Sequence, residues 1–104
     1  MSYIKAILQE EYQRLKALSD KYIDEINALP RGSISIKKRN QREYLYLAYR
    51  KKYKLKFEYI GPMASEKSQA VLKQIGLRKE FENKLKQVRK NLLEIGKATN
   101  GRKI

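Results

Sequence analysis

Hydrophobic spacing changes period twice along this chain, and glycine and proline mark both changes. Up to Leu29 the apolar residues Ile4, Leu8, Leu15, Leu18, Tyr22, Ile26 and Leu29 fall at three- and four-residue steps, with Glu11 and Tyr12 bridging the one weak step. After Pro30-Arg31-Gly32 apolar residues alternate with polar ones, and after Gly61-Pro62 the longer step returns. A period near 3.6 buries one stripe of a helix, while a period of two buries one face of a strand. The chain therefore reads as a helix, a group of strands and a second helix.

The first helix is expected over Ser2 to Leu29, with Ser2 as its N-cap. Pro30 disfavours helix at the residue before it and Gly32 frees the backbone, so the helix ends there. Its length would be about 40 Å at the usual rise. The second helix is expected over residues 65–98, with a seam of Val71 or Leu72, then Ile75, Phe81, Leu85, Val88, Leu92 and Ile95. Gly76 interrupts that seam at a cost of about 1 kcal/mol relative to alanine, which predicts a bend or a frayed first segment. Lys97 and Gly101 suit the C-terminal end, leaving residues 99–104 as a flexible tail.

Between the helices, Ser33–Arg39, Glu43–Arg50 and Lys54–Ile60 have the alternation and the β-branched or aromatic content of strands. A two-residue turn at Asn40-Gln41 pairs Arg39 with Arg42, Ile36 with Leu45 and Ile34 with Leu47, so that four apolar residues share a face. A three-residue loop at Lys51-Lys52-Tyr53 would bring Leu55, Phe57 and Tyr59 to that same face. A shorter loop would flip the third strand and expose them. The expected architecture is a single α+β domain over residues 1–104, with a three-stranded antiparallel meander (33–61) at the closed end of an antiparallel helical hairpin.

Charge is unevenly spread over this frame. The chain has 25 basic and 11 acidic residues, a net +14. Residues 31–61 hold ten of the bases and two of the acids, whereas residues 1–30 are nearly balanced. With the register above, the open face carries Ser33, Ser35, Lys37 and Arg39, then Tyr44, Tyr46, Ala48 and Arg50, then Lys54, Lys56 and Glu58. Cations hold phosphates, and aromatic rings on a sheet accept bases by stacking. Lys37, Arg39, Tyr44, Tyr46, Arg50, Lys54 and Lys56 are thus the candidate nucleic-acid-binding residues, with DNA ranked ahead of RNA. The plainer reading is a solvated basic face, with cross-strand packing accounting for the tyrosines.

The string Gly32-Ser33-Ile34, Lys37 through Leu47, Tyr49-Arg50, Lys54-Leu55-Lys56 and Tyr59-Ile60-Gly61 is similar to small prokaryotic proteins of an unknown-function family. Those proteins join this hairpin motif to flanking helices, so the resemblance covers nearly the whole chain and implies the same fold. In that family the two turns usually read Asn-Gly and Gly-Gly, where this chain has Gln41 and Tyr53. The middle of the chain also resembles the β-ribbon at the front of some transposases and integrases, where such sheets contact DNA. The resemblance implies no catalytic residues.

The chain has neither cysteine nor histidine, which removes thiolate nucleophiles, histidine acid–base chemistry and the usual transition-metal ligand sets. Asp20 and Asp24 lie one helical turn apart, but Arg14, Lys16 and Lys21 nearby make an ion-paired helix surface the better account. No enzyme activity, cofactor or metal is expected. Gly32-Ser33 does not open a helix, so it does not make a phosphate-binding loop. No apolar run reaches the ~18 residues of a membrane span, and the N-terminus lacks a signal-peptide layout, so a cytoplasmic protein without membrane attachment is expected. Ile7, Ile23, Leu77 and Leu93 lie off the main helical seams and predict a homodimer through the helices. A coiled-coil interaction or assembly protein with an incidental basic surface is the alternative function.

Overall fold

The computed structural model describes residues 2–99, with side chains from Tyr3 to Ala98. Along the chain come α1 (Ser2–Asn27), β1 (Ser33–Arg39), β2 (Arg42–Lys51), β3 (Lys54–Pro62) and α2 (Glu66–Thr99). The strands form one antiparallel sheet in the order β1-β2-β3, giving the expected α+β sequence of elements. Of the tail expected over residues 99–104, Thr99 is the last residue of α2, and the rest, like the side chain of the proposed Ser2 cap, lies outside the described residues.

Helix ends follow local chemistry. The Ala28 amide still bonds the Asp24 carbonyl (3.2 Å), and Pro30 stops the helix two residues on. At the start of α2, the Ser65 hydroxyl accepts from the Ser68 amide (3.2 Å) and donates to Ser68 Oγ (3.0 Å). That is an N-cap, and Ser68, the residue whose amide it caps, is fully buried. Helix α2 is continuous through Gly76, so the frayed segment expected there is not formed; helical packing on both sides of the glycine outweighs its poor propensity.

The chain divides into two compact units. In the first, residues 2–28 and 80–99, α1 and the later part of α2 run antiparallel. The Tyr22 and Phe81 rings meet at one end (5.8 Å between centroids), and Leu8 and Ile95 line one hollow at the other. Leu15, Leu85 and Val88 are buried between, and Ile26 is buried one turn beyond Tyr22. Ile4, expected in this seam, is 62% exposed, and the burial of the pair begins one turn later, where Leu8 lines the hollow beside Ile95. On the outside of α1, Arg14 pairs with Glu11 and holds its carboxyl below the usual carboxylate range.

The second unit, Leu29–Lys79, is the sheet with the first part of α2. Leu45, Leu47 and Ile60 from the sheet and Ile75 from α2 form its core, with Met63, Val71 and Leu72 packed around them. Arg78 Nη1 donates to the Leu29 carbonyl (2.9 Å), giving a part-buried backbone oxygen just past the end of α1 its donor. Burial centres on β2. Ile34 and Ile36 on β1 share its apolar face by register but remain 39% and 48% exposed.

The β1–β2 register is the expected one, with Arg39 opposite Arg42 and Ile36 opposite Leu45. Asn40 and Gln41 form the two-residue turn at φ 49° and 66°. At the other end of β1, Gly32 has φ 121°, and a Cβ there would stand 2.9 Å from the Ala48 carbonyl oxygen. Only glycine fits that approach without displacement.

The β2–β3 connection departs from expectation. Lys51 pairs with Lys54 and the turn has two residues, Lys52 and Tyr53, at φ 50° and 71°. Two positive-φ residues in succession give the turn geometry that follows the natural twist of paired strands, and here that geometry prevails. The even loop inverts β3 relative to the three-residue reading. Leu55, Phe57 and Tyr59 lie on the face away from α2, and Lys54, Lys56 and Glu58 lie on the face that α2 packs against. Ile60, two residues after Glu58, faces α2 by the same alternation and is 8% exposed in the core, while a bulge opposite Tyr46 and Leu45 leaves it without a partner on β2.

Candidate nucleic-acid interface

The uncovered face of the sheet is built from one alternate set of residues on each strand. Ser33, Ser35, Lys37 and Arg39 come from β1, and Arg42, Tyr44, Tyr46, Ala48 and Arg50 from β2. β3 adds Leu55, Phe57 and Tyr59. Neither Glu43 nor Glu58 is in these sets, so the face carries cations without a carboxylate.

Its centre is aromatic. Tyr59 lies directly across from Tyr46 with ring centroids 5.3 Å apart at 58°, and its ring also reaches Tyr44 at 6.3 Å and 46°. Such tilted pairs match the preference of ring quadrupoles for edge-directed contact. Lys37 Nζ stands 4.6 Å from the centroids of both the Tyr46 and Phe57 rings, a shared cation–π contact that brackets the cluster from β1. Phe57 and Tyr59 are 48% and 52% exposed, and Tyr44 and Tyr46 are half-buried. The rings gather their inner edges against one another and leave their outer surfaces to solvent. This clustering is what offsets the cost of turning β3 outward.

Of the seven candidate residues, Lys37, Arg39, Tyr44, Tyr46 and Arg50 share this face. Lys54 and Lys56 do not; the two-residue turn sends them to the opposite side. In their place stand Phe57 and Tyr59, expected in the core, and Arg42 at the start of β2. One signal in the chain pointed that way. Tyr59 and Ile60 are consecutive apolar residues, so alternation must break there, and one of the two has to face outward.

Among the described residues no cluster of three or more carboxylates is placed to hold a metal ion, and no helix is long and apolar enough to cross a membrane. Ile7, Leu77 and Leu93 are 49%, 43% and 67% exposed, while Ile23, the fourth off-seam residue, is half-buried.

The family described as Domain of unknown function (DUF6788) matches residues 2–70, which takes in α1, the whole sheet and the capped start of α2. Neither a curated protein nor a solved structure matches the chain.

Proposed function

The chain belongs to the DUF6788 family, and we propose that it is a non-catalytic module binding single-stranded nucleic acid on the uncovered sheet face. The observation that carries this reading is the Tyr44, Tyr46, Phe57 and Tyr59 cluster set among Lys37, Arg39, Arg42 and Arg50. Unpaired bases stack on exposed rings, and the cations hold the phosphates that pass between them. Bases in a duplex are already stacked on each other, so a platform of this kind favours the single strand over the double helix. The net +14 of the chain adds attraction for any polyanion.

The test is fluorescence anisotropy with labelled single-stranded DNA, single-stranded RNA and duplex of equal length across a salt series. Four phosphate contacts on a single strand give a log–log salt slope of about −3. Binding that is no tighter for the single strand than for the duplex overturns the stacking reading. No binding of any of the three at low salt overturns nucleic-acid binding altogether.

A second reading rests on the exposed Ile7 and Leu93 side chains of the helical unit. On this reading two copies associate through their helices, and the basic sheet is incidental. Both activities can coexist, since pairing through the helices places two platforms on one particle and raises avidity for a long strand.

A further inference from the structure

Beside the platform the same structural unit holds a second basic feature. A groove of about 590 Å³ opens where β1 has not yet begun, between the Pro30-Arg31 segment, the end of β2 and the first turns of α2. Arg31, Arg50, Lys51 and Lys67 line it against one acid, Glu58. Its floor is apolar, made by Leu47, Ile60 and Val71. All four cations are exposed, and none of them forms an ion pair with Glu58 or another described carboxylate. Four like charges around one hollow repel each other, and a bound anion relieves that repulsion.

Arg50 ties this groove to the platform. By register its position belongs with Tyr44, Tyr46 and Ala48 on the uncovered face, yet its side chain also borders the groove. The end of the sheet beyond Ser33 is therefore a basic corner that leads from one face to the other. Resting on the single-strand reading above, we infer that the sugar–phosphate backbone of the bound strand leaves the platform past Arg50 and runs into the groove, held there by Arg31, Lys51 and Lys67. The platform reads bases by stacking, and the groove takes only phosphates. A short oligonucleotide fills the platform alone, whereas a longer one reaches both.

The experiment compares a tetranucleotide with a dodecanucleotide of thymidine on the full chain, in the wild type and in Arg31→Gln/Lys67→Gln. Both positions are exposed, and an unchanged melting curve confirms the fold of the variant. The dodecanucleotide is expected to lose about tenfold in affinity and about 1.4 in salt slope, and the tetranucleotide less than about twofold. A control pair of equal charge in the helical unit, Lys84→Gln/Lys90→Gln, is expected to leave both affinities within about twofold. Equal losses for the two lengths, no loss for the longer one, or an equal loss in the control pair each overturn the groove path. Those results leave the platform standing if Tyr46→Ala/Tyr59→Ala still abolishes tetranucleotide binding. Failure of the wild type to bind either oligonucleotide overturns the platform, and the groove path with it.

Discussion

Tyr46 and Tyr59 lie directly opposite each other on β2 and β3, their ring centroids 5.3 Å apart on the face that α2 leaves bare. One residue further along β3, Ile60 is turned the other way and is 8% exposed in the core. Between the two runs the boundary separating what this domain buries from what it offers.

Replacing both tyrosines by alanine separates those roles. Tyr46→Ala/Tyr59→Ala is expected to cost roughly 1–3 kcal/mol of binding per stacked base. Loss of the ring pair costs stability by only about 0.5–1.5 kcal/mol beyond the area buried. The corresponding phenylalanine variant keeps the rings and retains most of the affinity. Anisotropy titrations read the first effect and denaturant midpoints the second.

The register of β3 can be checked without any ligand. Leu55 is 55% exposed and Ile60 8% exposed, so Ile60→Ala should destabilise by about 2–5 kcal/mol and Leu55→Ala by well under about 1 kcal/mol. A Leu55→Ala loss as large as that of Ile60→Ala in urea unfolding would restore the three-residue loop and put Lys54 and Lys56 back on the open face.

Both hairpin turns hold side chains in the left-handed region, at φ 66° for Gln41 and 71° for Tyr53. Tyr53 is 98% exposed, so no packing compensates the strain. Tyr53→Gly and Gln41→Gly should each raise stability by roughly 0.5–1 kcal/mol, the relief of strain exceeding the added freedom of the unfolded chain. Thermal melts that fall instead would mean that the side chains contribute more than the turns lose.

Two glycines should respond to alanine in opposite directions. A Cβ at Gly76 meets nothing within 4 Å, so Gly76→Ala in mid-helix should gain up to about 1 kcal/mol. At Gly32 the same change drives a Cβ to 2.9 Å from the Ala48 carbonyl oxygen at φ 121°, and should cost more than about 1 kcal/mol. The pair of melting temperatures decides both.

Association through the helices predicts a concentration-dependent mass in sedimentation. Ile7→Asn/Leu93→Asn should shift it to the monomer while leaving the melting of the sheet unit unchanged, because both residues are already exposed. A monomer at high micromolar concentration in the wild type would exclude the helices as a self-association surface.

Glycine and proline marked the breaks near Pro30 and Gly61-Pro62, although α1 ends at Asn27, two residues before the expected Leu29. Periodicity determined the order of elements and the β1–β2 register, where Ile34 and Ile36 must share a face with Leu47 and Leu45. Each of those follows from spacing within a segment or across a turn whose length was already set by the apolar pattern. Which face β3 shows could not be read the same way. Alternation says that Leu55, Phe57 and Tyr59 go together and that Lys54, Lys56 and Glu58 go together, but the parity of the intervening turn decides the side. That parity was resolved by backbone twist at Lys52-Tyr53, by the tyrosines of β2 that receive the inverted apolar set, and by Ile60, which the inverted alternation brings into the core beside Leu45 and Leu47. All three are relations between strands, formed only when the sheet is assembled, and they place the aromatic residues and the cations on the same open face.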